Sequence, residues 1–466
     1  MFPLVFTVRD DGQEHARHLT SPGEQSTPRS VNDQCLSGES WPQGPGHAIA
    51  PQLPDDELRS ILKEIDPQRI RATIEKLTTF GTRHTLSSQT DPVRGIGAAR
   101  DWIAHRCARS PQPRAQVQTR RCRCPATRNS QWVGYRMQRS SATWSTTIQG
   151  ADEPNRVYVI TGHYDSRDDD ASGVAVVMEL IRILSTRPPP RATIMLGAVA
   201  GEEQGLFGAN FLAQTLRNNS VDVQGMFTND IVGASKADNG VTDAHSIRLF
   251  AQGIPSTDSA SQLANRETIG GENDSPARQL ARFVVDVASN PVTDMNVRVI
   301  YRADRFLRGG DHEPFLSAGF AAARFTEPNE NFAHQHQNTR IDPVTGVQFG
   351  DLIEFVDLDF TARVARVNGA TIWSLAQAPG TPKNVTIDTS VLTNNSTLAW
   401  ALDTSPAVAG YEIVWRSTDA PLWTNVVPVG LVDRATVLLS KDNAIFGVRA
   451  VGRNGFRSPA TFPFPL

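Results

Sequence analysis

The sequence predicts an α/β fold, in which helices cover a sheet on both faces, followed by a small all-β sandwich. Between residues 157 and 228, apolar runs of strand length alternate with stretches of helical period. Beyond residue 382 only short alternating runs remain, without a convincing helix. A hydrophobic fraction of 39% with 20% charged residues is typical of a chain with packed cores.

The α/β region is expected to begin with helices. Apolar residues recur at i, i+3, i+4 and i+7 from Leu58 to Ile65. Asp66 and Pro67 then form a typical N-cap and first turn of a second helix, and a third is expected over residues 98–105. Strands and helices follow in alternation. The predicted strands are 157–161, 192–199 and 225–228, and the predicted helices are 171–184, 207–216, 276–289 and 351–375.

The β-sandwich is expected from residue 379 to residue 466, after a linker of proline and glycine. Five short runs alternate in polarity at the spacing of a small sandwich. They are residues 385–389, 396–402, 410–416, 435–439 and 445–451.

Two segments predict little regular structure. Residues 1–54 are rich in Ser, Pro, Gly and charged residues, which predicts a disordered leader. Residues 106–139 hold nine arginines, no Asp or Glu, and three of the four cysteines, so we expect an irregular Arg-rich insertion over 106–150. An anion-binding or nucleic-acid-binding loop is the alternative. The overall charge of 46 basic against 49 acidic residues argues against a nucleic-acid partner.

Composition also limits the compartment and the class. No run of 18 apolar residues occurs, so we expect no membrane-spanning helix. Four cysteines in 466 residues exclude a disulfide framework. The N-terminal apolar run is too short for a signal peptide, while five Asn-x-Ser/Thr sites lean towards secretion.

Polar side chains follow the ends of the three predicted strands. His163 and Asp165 follow the first strand, Glu202 and Glu203 the second, and Asp230 the third. In an open α/β sheet such strand ends lie at one edge, so these groups are expected to converge. Crowded carboxylates repel one another unless cations neutralise them. Imidazole with carboxylates suits zinc, manganese or cobalt, and the pattern therefore predicts a divalent-metal site.

The run Asp168–Asp170 precedes the helix predicted over residues 171–184. Acidic residues at this position can cap a helix and complement its dipole, or they can supply a metal ligand. The sequence leaves both interpretations open.

The segments GHYDS, DDASGVA, GEEQGL, NDIVG, GGDHEPF and NFAHQHQ occur in this order. Over about residues 55–375 the chain thus resembles zinc aminopeptidases of the bacterial leucyl aminopeptidase and aminopeptidase Y type. The resemblance implies a three-layer α/β/α sandwich with a mixed, mostly parallel sheet and two zinc ions per chain.

The resemblance also implies roles for individual residues. It implies that His163 and Asp230 bind one zinc, Glu203 and His334 bind the other, Asp169 bridges both, Glu202 is the general base, and Asp165 orients His163. His336 is interpreted as a neighbour of the ligand, and Asp311 with His312 as a structural pair that lines the site.

The expected function is therefore that of a zinc aminopeptidase, a metalloexopeptidase that acts on peptides as a monomer, with secretion implied by the resemblance. Carboxypeptidase action or glutaminyl cyclisation on the same scaffold stays open. A catalytically impaired binding protein is a third hypothesis, because only a few residues separate His163 from Asp169. The C-terminal region resembles a fibronectin type III module, which would serve as an attachment module or as a stabilising spacer.

Overall fold

The structure is a computed structural model that describes residues 41–108, 117–123, 142–165, 170–337 and 339–466. Residues Gly44–Leu466 form one compact unit. Within the described residues, every helix is too short or too polar to cross a membrane.

The regular elements are numbered in chain order. The helices are α1 Asp56–Lys63, α2 Pro67–Thr78, α3 Gly95–Ala108, α4 Ala171–Leu184, α5 Phe207–Asn218, α6 Ala260–Thr268, α7 Pro276–Ala288, α8 Glu313–Ser317 and α9 Leu358–Gln377, with a 3-10 turn at Ile353–Phe355. The first eleven strands are β1 His47–Ala48, β2 Val117–Arg123, β3 Ala142–Ile148, β4 Glu153–His163, β5 Ala192–Val199, β6 Asp222–Asn229, β7 Ser246–Ala251, β8 Asn296–Ile300, β9 Ala322–Thr326, β10 Arg340–Ile341 and β11 Gln348–Phe349. The remaining strands are β12 Thr386–Ile387, β13 Ser396–Ala399, β14 Val408–Ser417, β15 Asn425–Gly430, β16 Arg434–Val437, β17 Ala444–Gly452 and β18 Phe464–Pro465.

The predicted α/β fold is confirmed. In the described part of the chain, eight strands form a sheet in the order β2-β3-β5-β4-β6-β9-β7-β8. The pairings β4-β5, β4-β6, β6-β9 and β7-β8 are parallel, and the other three are antiparallel, which makes the sheet mixed and mostly parallel.

Strand β4 shows how the sheet is covered on both faces. Tyr158 and Ile160 belong to a core shared with α4 and α9, whereas Val157 and Val159 belong to a second core shared with α5. Because alternate side chains of a strand point to opposite faces, the two cores lie on the two sides of the sheet. Each buried aliphatic side chain contributes about 1.5–3 kcal/mol, so both faces hold β4 in the sheet centre.

The prediction of an irregular insertion at residues 106–150 is wrong in part. Strands β2 and β3 pair antiparallel there, and β3 joins the sheet beside β5. Trp144 and Ile148 of β3 are buried. The Ser and Thr residues between them show no clear alternation of polar and apolar side chains, so the sequence did not indicate a strand. Threonine is nevertheless well suited to a strand because it is β-branched. Residues 109–116 and 124–141 lie outside the described residues.

The predicted leader of residues 1–54 also needs correction at its end. Residues 1–40 lie outside the described residues, but His47 and Ala48 form β1 against β15. Ile49 packs on a small core that contains Trp423 and Val426. Regular structure therefore begins before Pro54, because β1 pairs with the edge of strand β15 and Ile49 packs on an apolar core.

The helix boundaries follow local capping. Helix α4 covers the predicted residues, and α9 begins at Leu358 rather than at Asp351. The Asp357 side chain accepts a hydrogen bond from the Phe360 amide at 2.9 Å, which fixes that N-terminus.

The C-terminal region is a β-sandwich of two four-stranded sheets, ordered β1-β15-β14-β17 and β16-β13-β12-β18. Strand β15 was not predicted, because Pro428 and Gly430 interrupt its alternation of polar and apolar residues. The resemblance to a fibronectin type III module, and the exact domain boundaries, stay predictions.

The sandwich packs on α7 of the α/β region through buried charges. Asp274, just before α7, accepts hydrogen bonds from Arg282 at 2.7 Å and from Arg416 of β14 at 2.6 Å. Trp423 donates to Gln279 at 3.1 Å. All five side chains are buried or nearly so, and the two regions therefore share one interior at this point.

Candidate metal centre

The candidate centre lies where three neighbouring parallel strands end. Strand β4 ends at His163, β5 ends just before the segment that carries Glu202 and Glu203, and β6 ends just before Asp230. Because β4 lies between β5 and β6, all three ends reach the same edge of the sheet. Gly201 has a φ of 77°, a left-handed conformation that glycine adopts freely, and this turns the chain after β5.

Asp165 holds the Glu202 and Glu203 segment in place. Its two carboxylate oxygens accept hydrogen bonds from the Glu202 amide at 3.2 Å and from the Glu203 amide at 3.3 Å. The Thr85 hydroxyl donates to the same carboxylate at 3.3 Å, and Asp165 is fully buried. The carboxylate therefore fixes the backbone from which both glutamates extend.

His163 is oriented by a backbone group. Its Nδ1 lies 3.2 Å from the carbonyl oxygen of Asp165, and 3.8 Å from a carboxylate oxygen of that residue. Its Nε2 lies 3.8 Å from an Asp230 oxygen. The closer contact of Nδ1 is therefore with the backbone carbonyl of Asp165 and not with its carboxylate. The other ring nitrogen, Nε2, lies on the side of Asp230.

The donor atoms converge. One ligand atom each from His163, Glu202 and Glu203 lies within 4.8 Å of the others. Such a cluster, one imidazole with two carboxylates, matches the donor chemistry of zinc.

The charges at this edge favour a bound cation. Burial raises the pKa of Glu202 to about 9, and neighbouring Asp230 and Asp311 add to this rise while His163 opposes it. Arg324 pairs with Asp230 at 2.9 Å and also with Asp304 at 3.0 Å, so it cannot neutralise the whole cluster. A divalent ion that favours ionised carboxylates would remove this penalty, and the residues present therefore fit zinc.

The acidic run before α4 supplies the N-cap of that helix. The Asp170 carboxylate accepts hydrogen bonds from the Gly173 amide at 2.8 Å and from the Ser172 hydroxyl at 3.1 Å, so it caps the helix. It also accepts from the Ile231 amide at 3.3 Å, which ties α4 to the segment after β6. Asp169, the predicted bridging ligand, lies outside the described residues.

The two histidines of the NFAHQHQ segment lie apart. The His334 ring stacks on Phe355 with centroids 3.5 Å apart, in a separate small cavity beside Ile231 and Ser172. The His336 ring instead has Nδ1 3.4 Å from a Glu203 oxygen. The structure therefore brings His336, and not His334, to the cluster, because a left-handed φ of 53° at His336 turns this segment.

Asp311, which the sequence analysis interprets as half of a structural pair lining the site, is a buried neighbour of the candidate centre. It is 1% exposed, and within the described residues neither of its carboxylate oxygens has a hydrogen-bond partner. Burial raises its pKa to about 7, with His163, Asp165 and Asp230 as its charged neighbours. The neighbouring His312 donates from Nε2 to the Ala303 carbonyl, 2.7 Å away. The GGDHEPF segment was the available signal for Asp311.

A cavity of about 410 Å³ opens onto the cluster. Its lining includes the acidic cluster with His163, and also two arginines, Arg305 and Arg308. This volume is within the range of sites for small ligands.

A mixed α/β sheet with a carboxylate-rich cation site at its strand ends, opening onto a substrate-sized cavity, defines a metal-dependent hydrolase. Known proteins agree with this class. The model of peptidase family M28 matches residues 145–353. A "Probable zinc metalloprotease" of Pyrenophora teres f. teres is 51% identical over 470 residues, which cover 97% of this chain and 96% of that protein.

A protein with the same description from Pyricularia oryzae is 52% identical over 460 residues, covering 93% of this chain and 90% of that protein. Among solved structures, an aminopeptidase of Legionella pneumophila has a TM-score of 0.49 at 18% identity, covering 71% of this chain and 78% of that chain. The relatives at about half identity over almost the full length decide the family. The chain belongs to peptidase family M28 and is a zinc metallopeptidase.

Proposed function

We propose that the protein is an aminopeptidase that binds two zinc ions and removes N-terminal residues from peptides. The observation that carries this proposal is the convergence of His163, Glu202 and Glu203 within 4.8 Å at the sheet edge, inside a cavity of restricted size. A cavity of about 410 Å³ admits the end of a peptide more readily than the middle of a folded chain.

His163, Glu203 and Asp230 are the proposed zinc ligands among the described residues, with Asp169 as the bridging ligand. The imidazole that completes the set comes from the NFAHQHQ segment, and the contact with Glu203 favours His336 over His334. Zinc content of His334→Ala and His336→Ala, measured by mass spectrometry, separates these two assignments. Loss of metal only in His334→Ala would overturn the preference for His336.

The residues of the chain then have distinct tasks. When bound, zinc acts as a Lewis acid and lowers the pKa of water. Glu202 accepts a proton from the attacking water, and it gives that proton to the leaving amine as the C–N bond breaks. The rigid Asp165 carboxylate keeps Glu202 in position through the 3.2 Å bond to its amide.

The proton transfers explain why Glu202 lies in a partly buried, acidic surrounding. A base in such a surrounding is shielded from bulk water, so the proton that it takes from the attacking water passes to the leaving amine. The same surrounding contains enough negative charge to attract the free α-amine of a peptide. Both properties suit an enzyme that recognises the N-terminus.

The test is hydrolysis of leucine p-nitroanilide by wild type, by Glu202→Gln and by chelator-treated protein. We expect Glu202→Gln to lower kcat by about 10²–10⁴-fold with zinc retained, because a positioned base contributes that much. Chelation is expected to abolish activity, and zinc is expected to restore it. Full activity of Glu202→Gln, or zinc content near one ion per chain in active protein, would contradict the proposed mechanism.

A further inference from the structure

The cavity at the zinc centre has two chemically different walls. His163, Glu202 and Glu203 form an acidic wall, and Arg305 and Arg308 line the same cavity. The acidic wall belongs to the metal centre, but the catalytic scheme assigns no task to the arginines.

The two arginines that line the cavity, the arginine wall, share one carboxylate with a third arginine. The single carboxylate of Glu330 receives three guanidinium groups: Arg248 at 3.1 Å, Arg305 at 3.2 Å and Arg308 at 2.8 Å. Burial alone would raise the pKa of Glu330, but the three arginines hold that pKa below its usual value. Glu330 is therefore ionised and offsets only one of three charges.

The second acidic partner of Arg305 is also shared. Asp304 lies 3.2 Å from Arg305 and 3.0 Å from Arg324. Arg324 also pairs with Asp230 at 2.9 Å, so these three carboxylates, Glu330, Asp304 and Asp230, lie among four guanidinium groups. Glu327 is a further charged neighbour of Arg248, so the arginines are largely paired within the chain, and the capacity for a further anion lies at the partly exposed side chain of Arg308.

The arginine wall is held at a fixed distance from the metal centre. The carbonyl of Gly309 accepts hydrogen bonds from Arg324 at 2.8 Å and from Arg305 at 3.4 Å. Arg324 in turn pairs with Asp230, a proposed zinc ligand, at 2.9 Å. A ligand that contacts both walls would therefore meet a preorganised pair of charges.

Arg308 has the capacity to bind such a ligand. Its side chain is 35% exposed, and in the part of the chain that the structure describes it donates one hydrogen bond, to Glu330. A guanidinium has five N–H donors in a planar fork that matches a carboxylate. The remaining donors can therefore serve a carboxylate that enters the cavity.

We propose that Arg305 and Arg308 bind a carboxylate of the substrate on the leaving-group side of the scissile bond. This inference rests on the proposed aminopeptidase function. The arginines repel the substrate α-amine, which therefore lies at the acidic wall, and they attract a group of opposite charge at the other end. The termini of a dipeptide are about 7 Å apart, a span that the cavity of about 410 Å³ accommodates.

The carboxylate can come from two sources, and the substrates distinguish them. Leucyl-leucine against leucyl-leucinamide tests the C-terminal carboxylate of a dipeptide. Leucyl-aspartamide against leucyl-asparaginamide tests an acidic side chain next to the scissile bond. We expect kcat/KM to favour the acid at least tenfold in one of these pairs, and we expect this ratio to fall with added salt.

Arg308→Gln is the decisive variant, and Arg302→Gln is its matched control. Arg302 lies in the same segment and stacks on the exposed Phe306 at 5.2 Å, outside the cavity lining. We expect the acid-to-amide ratio to fall to about one in Arg308→Gln and to persist in Arg302→Gln. Calorimetry with zinc-loaded Glu202→Gln provides a second measurement, in which leucyl-leucine binds more tightly than its amide only while Arg308 is present.

The outcomes separate this inference from the function on which it rests. Equal kcat/KM for acid and amide in both pairs, or an unchanged ratio in Arg308→Gln, would overturn the carboxylate site while leaving an aminopeptidase. Hydrolysis of N-acetyl-leucyl-leucine, with leucyl-leucinamide resistant, would instead overturn the aminopeptidase function and assign the same arginines to a C-terminal carboxylate of longer substrates.

Discussion

Two groups of buried carboxylates in this protein have opposite surroundings. At the contact between the α/β region and the β-sandwich, Asp274 lies between Arg282 and Arg416 at 2.7 and 2.6 Å. At the strand ends, Glu202 and Glu203 share a small volume with His163. In the first group, arginine side chains neutralise the carboxylate. In the second group, the carboxylates outnumber the positively charged side chains beside them.

The difference separates structural from functional carboxylates. A buried carboxylate that accepts several charge-assisted hydrogen bonds holds two regions together, and removing it leaves buried guanidinium groups without a negative partner. A carboxylate whose pKa is raised by burial, as at Glu202, lowers the stability of the metal-free protein when it ionises. Such a carboxylate serves to bind a ligand and not to stabilise the fold. A shortage of positive charge around buried carboxylates therefore identifies the site better than their burial does.

The largest expected effect tests the structural side of this comparison. Asp274→Asn leaves Arg282 and Arg416 buried without a negative partner, and we expect it to lower the free energy of unfolding by about 3–5 kcal/mol. Urea denaturation of the zinc-loaded protein measures this. The zinc content of the folded variant is expected to match wild type.

A matched variant sharpens the same prediction. Replacing all three charges together, as Asp274→Leu, Arg282→Met and Arg416→Met, removes the unpaired ions as well as the ion pairs, so we expect a smaller loss than in Asp274→Asn. A loss below about 1 kcal/mol in Asp274→Asn would mean that these charges do not hold the sandwich in place.

The next effect is of opposite sign and concerns the metal centre. In metal-free protein the pKa of Glu202 is about 9, above the ordinary value of 4.5 that applies on unfolding. Wild type therefore loses stability as the pH rises from about 4.5 towards 9, whereas Glu202→Gln does not titrate in this window. We expect Glu202→Gln to be about 1–3 kcal/mol more stable at pH 8 without metal, and equal near pH 4.5.

Chelator-treated protein unfolded by urea at several pH values gives this difference directly. All other ionisable groups are common to both proteins, so the difference between the two curves reports Glu202 together with its electrostatic coupling to its neighbours. A variant less stable than wild type at pH 8 would contradict the interpretation of Glu202 as a carboxylate without sufficient counter-charge.

The smallest expected effect concerns an exposed ion pair, which serves as the reference for the two larger effects. Arg71 and Glu75 form an exposed pair on α2 at 2.7 Å, with side chains 48% and 47% exposed. Because water screens such a pair, Arg71→Ala is expected to change the free energy of unfolding by less than about 0.5 kcal/mol. A loss near that of Asp274→Asn would show that burial does not distinguish these ion pairs.

The fold was largely predictable because it depends on local periodicity. Helix α4 and strand β5 have the predicted bounds, since uninterrupted apolar runs and clear ends define them. Strands β2, β3 and β15 were missed, because their residues alternate weakly and their pairing partners are distant in the chain. Strand pairing of this kind is a tertiary property.

The sequence by itself determined the zinc peptidase scaffold and the order of its polar segments. It placed His163, the two glutamates and Asp230 after strand ends, and parallel strands necessarily bring such ends together. Only the tertiary structure decided that the carbonyl of Asp165 orients His163, that His336 and not His334 meets Glu203, and that two arginines border the cavity. The reason is physical: periodicity fixes which face and which end a residue occupies, but the direction of a loop side chain depends on contacts with distant segments.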